Sequence, residues 1–154
     1  MFVDIHTHIL AGVDDGPEND GQMYELLNAL YNDGIRKICC TPHYHPGYYG
    51  RNIDEVSERF SCLQTYIHEK EIDMQIALGN ELHYFQGCIE WVEEGLCRTL
   101  NGTRYVLADF DREEEYETIE SAYQEVRHKY GAEYADKLFV VNPNKILESV
   151  RQEE

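Results

Sequence analysis

Four short apolar runs punctuate this chain, at residues 2–5, 37–40, 73–78 and 104–110, and a histidine or an acidic side chain stands at or just beyond the end of each. Helical spacing fills the intervals. Met23, Leu26, Leu27, Ala29, Leu30 and Tyr31 recur at helix period over 19–32, ahead of a stop at Asp33-Gly34, and a second helix is predicted over Ile53–Glu69. A short helix over 88–94 precedes the fourth strand. Strands alternating with helices predict a parallel α/β sheet of right-handed β-α-β units. In such sheets function collects beyond the C-terminal ends of the strands. Prolines and glycines make 41–50 a long loop, and beyond residue 110 the chain reads as helical, with Ile119, Ala122, Tyr123 and Val126 as an apolar stripe. Asn142-Pro143 precedes a last helical turn.

At 154 residues the chain has the size of one domain and is small for a closed β/α barrel. Thirteen basic against thirty acidic residues give a formal charge of -17, which argues against nucleic acid or anionic lipid as partners. No run approaches the roughly 18 apolar residues of a membrane span, and the first residues lack the basic-then-apolar order of a signal peptide, so a soluble, cytoplasmic protein is expected. The cysteines, Cys39, Cys40, Cys62, Cys88 and Cys97, are odd in number and lie in or beside apolar runs, as buried reduced thiols do. None has an arginine six positions later, so sulfur is not the expected nucleophile for phosphate-ester chemistry.

The residues at the strand ends belong together. His6 and His8 follow the first strand, His43 the second and Glu81 the third, and Asp109 ends the fourth. In an extended segment residues two apart face one side, so His6 and His8 can offer imidazoles to one ion. Taken singly, His43 is an ordinary loop histidine, Glu81 a solvated carboxylate and Asp14-Asp15-Gly16 a turn. Arriving at one rim of one sheet, they make a site for two or three ions. Mixed imidazole and carboxylate donors suit Mn, Fe or Zn better than Ca or Mg. Metal-assisted hydrolysis, with the ions polarising a phosphoryl oxygen and activating a shared water, is the reaction class.

The order D-I-H-T-H-I-L-A-G-V-D-D-G, C-T-P-H-Y, A-L-G-N-E-L-H-Y and Y-V-L-A-D-F resembles the PHP (polymerase and histidinol phosphatase) superfamily. Within it the pattern is most similar to the manganese-dependent, CpsB/CapC-like protein-tyrosine phosphatases of bacterial capsule and exopolysaccharide operons. The resemblance runs in register over 1–110, and Tyr130-Gly131, Leu138-Phe139, Asn142-Pro143 and Lys145-Ile146-Leu147 are similar to the family's C-terminus. It implies one PHP-like domain over 1–154, with 111–154 as a helical C-terminal segment. It further implies a distorted β/α barrel with Mn2+, or Fe or Zn in its place, at a site of up to three ions. His6, His8 and Glu81 would bind one ion, with Glu81 bridging, and Asp15 and His43 another. Asp109 falls where the family has glutamate, one methylene longer. The implied substrate is a tyrosine-phosphorylated protein, such as a tyrosine kinase of the polysaccharide machinery.

The chain departs from that pattern after its fourth strand, where the family's H-P-E-R-like and D-x-H-N-like motifs do not occur in these residues. Those motifs carry further ligands and the phosphate-holding arginines. Arg51, after the histidine loop, and Arg112, after the fourth strand, are the available replacements as phosphate contacts. About four strands cannot close a barrel, so an incomplete barrel is expected, and the open edge favours a homo-oligomer. The alternative to an active phosphatase is a catalytically impaired or inactive shortened paralogue that binds metal or partner proteins. Tyr44, Tyr48 and Tyr49 either stack on a substrate ring above the metals or pack on their own loop. Glu113, Glu114 and Glu115 read as a solvated helix start, and His128 as a surface residue.

Overall fold

The computed structural model describes residues 2–45, 47–49, 53–110 and 116–136. Two compact units divide it, Met1–Asp109 and Phe110–Glu154. In the first, β1 (Phe2–Thr7), α1 (Asp20–Asn32), β2 (Ile35–Cys40), β3 (His43–Tyr44), α2 (Ile53–Glu69), β4 (Gln75–Leu78), β5 (Glu81–His83), α3 (Cys88–Glu93), a 3-10 turn (Leu100–Gly102) and β6 (Leu107–Asp109) follow in order. The predicted loop over 41–50 thus contains a strand, because His43 and Tyr44 pair with Glu81 and Leu82.

Among the described residues all strand pairs are parallel and form two ladders, β1-β2-β4 and β3-β5-β6, neither closing on itself. The ladders share two interrupted strands. Lys37 to Cys40 pair with Gln75 to Leu78, and the same offset continues as His43 opposite Glu81. The interruption falls at Thr41-Pro42, where proline supplies no N–H to the ladder. Bonds across the gap preserve the register: Gly79 N–H donates to the Cys40 carbonyl at 2.9 Å, and Glu81 N–H to the Pro42 carbonyl at 3.1 Å. Buried Asn80 donates through Nδ2 to the same Pro42 oxygen at 3.1 Å and accepts from Arg98 N–H at 2.9 Å. The four strands read from the sequence are therefore four parallel runs, two of them broken in the middle.

The register of β1 against β2 slips between Asp4, opposite Ile38, and Thr7, opposite Cys40. Three residues on β1 cover two on β2, which is a bulge, and bulges re-aim side chains beside functional sites. Thr7 and Thr41 fasten the strand end below it. Thr41 N–H donates to the Thr7 carbonyl at 2.8 Å, and the Thr7 hydroxyl donates to the Cys39 carbonyl at 3.1 Å.

The helices cover this sheet through single stripes. Asn19 caps α1, its side chain accepting from Gln22 N–H at 3.1 Å, and Met23 and Leu27 one turn apart are fully buried. On α2, Val56 and Leu63 face the same core, with Ile9, Leu10, Ile38, Cys40 and Met74. Stacked Tyr24 and Tyr66, ring centroids 3.9 Å apart, join the two helices. All five cysteines are free thiols and four are buried. Burial pushes the Cys40 thiol far up and that of Cys97 to about 12.

The second unit has α4 (Tyr116–Tyr130) and α5 (Ala132–Asp136), separated by Gly131 at φ 93°. Gly131 N–H donates to the Arg127 carbonyl at 3.0 Å, a glycine stop in the left-handed region, and Ala122, Val126 and Ala135 are buried. No helix of the described residues is long and apolar enough to cross a membrane.

Candidate metal centre

The centre begins where β1 ends. His6 lies on the bulged strand, its N–H bonded to Asp4 Oδ1 at 3.0 Å, and His8 is the first residue past Thr7. The chain then loops through Asp14, Asp15 and Gly16, closed by the Gly12 N–H donating to the Pro17 carbonyl at 2.7 Å. Gly16 passes so close to the His8 carbonyl that a Cβ there would overlap the oxygen. His43 starts β3 and Glu81 starts β5, directly opposite each other in register.

One carboxylate gathers the histidines. Glu81, with only 8% of its side chain exposed, places Oε1 3.1 Å from His6 Nε2 and Oε2 3.0 Å from His8 Nε2 and 3.1 Å from His43 Nδ1. The His6 and His8 Nε2 atoms are themselves 3.0 Å apart. Donors that share an ion at about 2.1 Å stand about 3.0 to 3.4 Å from one another, so His6, His8 and Glu81 fit one transition-metal ion. A second group brings together His8, Asp15 and His43, with Asp15 Oδ1 3.5 Å from His8 Nδ1 and 3.6 Å from His43 Nε2. His8 belongs to both groups, yet its Nδ1 is already committed to Asp14. That leaves Asp15 and His43 as the donors proper to the second group. Asp15 is 61% exposed, open toward a ligand.

Asp14 does not join either group. Its side chain is fully buried and accepts three hydrogen bonds: His8 Nδ1 at 2.9 Å and His43 N–H at 2.9 Å on Oδ2, and Gly16 N–H at 3.0 Å on Oδ1. Burial alone would raise its carboxyl, but the bonds from His8, His43 and Gly16 hold it below the ordinary carboxylate range. The bond to Asp14 in turn raises the His8 imidazole against the effect of burial, and the charges of Asp14, Glu81 and Asp15 add to the rise. A carboxylate on Nδ1 fixes the tautomer that presents Nε2 to an ion, the common outer support of metal-bound histidine.

Of the residues read from the sequence, His6, His8, Asp15, His43 and Glu81 therefore converge. Asp109 stands apart from both groups, its Oδ2 3.6 Å from His83 Nδ1 across the β5–β6 pair. Arg51 and Arg112 lie outside the described residues. Tyr44 is not available to a substrate, being buried with its ring edge-on to Trp91, centroids 5.7 Å apart. Tyr48 and Tyr49 do lie at the site, Tyr49 stacked on His43 at 5.6 Å and Tyr48 79% exposed beside His45. Sequence reasoning missed the buried role of Asp14.

Residues 2–129 match the family model for capsular polysaccharide synthesis, CpsB/CapC. The tyrosine-protein phosphatase CpsB of Streptococcus pneumoniae is 33% identical over 118 residues, which are 77% of this chain and 49% of that protein. The tyrosine-protein phosphatase CpsB of Streptococcus agalactiae is 30% identical over 125 residues, 81% of this chain and 51% of its own length. Among solved structures, a chain from the crystal structures of YwqE from Bacillus subtilis and CpsB from Streptococcus pneumoniae, described as unique metal-dependent tyrosine phosphatases, superposes with a TM-score of 0.74. Its identity is 26%, over 83% of this chain and 52% of that one. The chain spans about half the length of the curated relatives it matches. With most of its length inside the family model and the parallel α/β fold of the solved relatives, this chain belongs to the CpsB/CapC family of capsular polysaccharide synthesis.

Proposed function

We propose that this chain is a metal-dependent phosphoric monoester hydrolase acting on phosphotyrosine in proteins, in the service of capsule or exopolysaccharide synthesis. The buried Glu81 carboxylate shared by three imidazoles at 3.0–3.1 Å carries the reading. Both Glu81 oxygens face imidazoles, so this carboxylate would hold bound ions together with His6, His8 and His43. The donor set favours Mn2+, with Fe and Zn as chemical equivalents. Bound ions would supply charge to polarise the phosphoryl oxygens and lower the pKa of water.

The chain's own residues do the rest. Asp14 holds His8 and the His43 backbone in place, so the donors are set before any ion arrives. Exposed Tyr48 offers a face on which an aryl phosphate ester can stack. Arg51 and Arg112 are proposed to contact the phosphate. The substrate in the cell would be a tyrosine kinase of the polysaccharide machinery, met in the cytoplasm.

The experiment is an aryl-phosphate assay of purified protein with Mn2+, alongside metal analysis. Turnover that needs Mn2+ and is lost in His6→Ala supports the proposal. Bound metal without turnover at any Mn2+ concentration would favour a non-hydrolysing metal-binding relative, and absence of Mn, Fe and Zn would overturn the metal reading itself.

A further inference from the structure

The turn after β3 lays a tyrosine on one of the donors. His45 N–H donates to the Tyr49 carbonyl, and the Tyr48 and Tyr49 N–H groups both donate to the His45 carbonyl, all at 3.0 Å. Gly47 serves this reversal at φ 102°, in the left-handed region. The chain comes back alongside β3, and the Tyr49 ring settles on His43 with centroids 5.6 Å apart and planes 20° apart. That separation falls within the roughly 4.5–7 Å of favourable aromatic pairs. Tyr49 keeps 38% of its surface exposed and is no part of the hydrophobic core, so its contact with His43 is a local one.

The His43 ring has two nitrogens to aim at once. Nδ1 stands 3.1 Å from Glu81 Oε2, and Nε2 stands 3.6 Å from Asp15 Oδ1. The bond from the His43 N–H to Asp14 fixes the main chain and does not set the ring torsion. That torsion is broad and roughly two-fold in histidine, and half a turn puts carbon where each nitrogen stood. His8 has a carboxylate on Nδ1 to settle its orientation. His43 has ring neighbours instead: Tyr49 near-parallel to it, and His8 tilted by 59° with centroids 4.4 Å apart.

Stacking suits this task because it acts on the face of the ring. An ion binds an imidazole nitrogen in the ring plane, so a tyrosine laid over the face leaves both nitrogens open. Rotation of the imidazole would turn its edge toward the Tyr49 ring and forfeit the stacked contact.

We propose that Tyr49 is a positioning residue for the second donor group, its ring holding the His43 imidazole in the orientation from which it binds an ion with Asp15. Tyr48, from the same turn, remains the exposed face offered to a substrate ring, so the two adjacent tyrosines have separate roles. The proposal rests on the reading of the histidines and carboxylates as a metal centre.

Calorimetric Mn2+ titration with elemental analysis, on the full chain, tests it. Tyr49→Ala should weaken one ion about 2- to 10-fold, the effect of losing one aromatic pair, and leave the ion on His6, His8 and Glu81 as tightly bound as before. Tyr49→Phe keeps the ring and should bind as wild type, whereas Tyr49→Leu keeps apolar bulk without a flat face and should weaken the same ion. In a His43→Ala background, Tyr49→Ala should have no further effect on the binding that remains, because the two residues act as a pair. Three results would each overturn the proposal alone: wild-type affinities in Tyr49→Ala, a loss that Tyr49→Phe does not restore, or a loss that persists in full without His43. Wild-type protein that binds no Mn, Fe or Zn would overturn the metal centre, and the role of Tyr49 with it.

Discussion

Replacing Asp14 with asparagine removes one charge and alters no volume, so its effect isolates the hydrogen bonds beneath the metal donors. In the native chain Oδ2 takes two donors, His8 Nδ1–H and His43 N–H, and Oδ1 takes Gly16 N–H. Asparagine has one oxygen. If that oxygen faces His8 and His43, its amide group confronts the Gly16 N–H, donor against donor, and one buried N–H loses its partner. If the amide flips, it confronts the His43 N–H instead. Either way one buried donor goes unsatisfied, at about 1–3 kcal/mol, and the remaining bonds lose their charge assistance. For a domain of this size that corresponds to a fall of about 4 to 12 °C in Tm without metal. Loss of the carboxylate that sets the His8 tautomer should also weaken Mn2+ binding about 10- to 100-fold. Differential scanning calorimetry of the metal-free protein and calorimetric Mn2+ titration read the two effects separately. An Asp14→Asn chain with unchanged Tm and unchanged Mn2+ affinity would refute the assignment of Asp14 as the residue that organises the site.

Other perturbations follow from the same contacts. Gly16→Ala places a methyl group against the His8 carbonyl oxygen and should destabilise by about 2 to 3 kcal/mol in urea unfolding. Tyr48→Ala should raise KM for an aryl phosphate with little change in kcat, because the ring is exposed beside the site and touches no donor group; an unchanged KM removes the stacking role. In the native protein a thiol reagent at pH 7.5 should label Cys62 well before Cys39, Cys40, Cys88 and Cys97, which are buried; mass spectrometry of the first adduct identifies the site. Without metal, the His8–Asp14 pair should make stability bell-shaped in pH. His8 is raised from 6.5, so its contribution is full below that value and lost as pH rises through the raised folded one. Asp14 is lowered from 3.8, so its contribution is present above that value and lost as pH falls through the lowered folded one. Saturating Mn2+ should reverse the upper limb, since a ligand histidine must be neutral; urea midpoints across pH with and without metal report both behaviours.

Much of the fold was legible because local patterns decide local structure. The bounds of α2 match the apolar spacing over Ile53–Glu69, and α1 begins where Asn19 caps it. The strand at His43 and Tyr44 was hidden by Pro42, which breaks local strand character while the partner run, Glu81 and Leu82, keeps the pairing in register from a distance. A long-range ladder bond has no signature at its own position. Asp14 and Asp15 likewise stand side by side in a turn, and nothing in their spacing separates the buried one from the exposed one.

The sequence by itself determined the alternating α/β class, the helix limits, and the family through H-x-H, D-D-G and T-P-H, because each is written in residues adjacent along the chain. Only the tertiary structure decided which carboxylate lies open beside the imidazoles and which is buried beneath them. The bulge in β1, the interrupted ladder and the loop closed on Pro17 together turn Asp14 inward beneath His8, leave Asp15 open, hold Glu81 among three imidazoles, and turn Asp109 toward His83. Those choices depend on register between strands more than twenty residues apart, and register is settled by packing and pairing of the folded sheet.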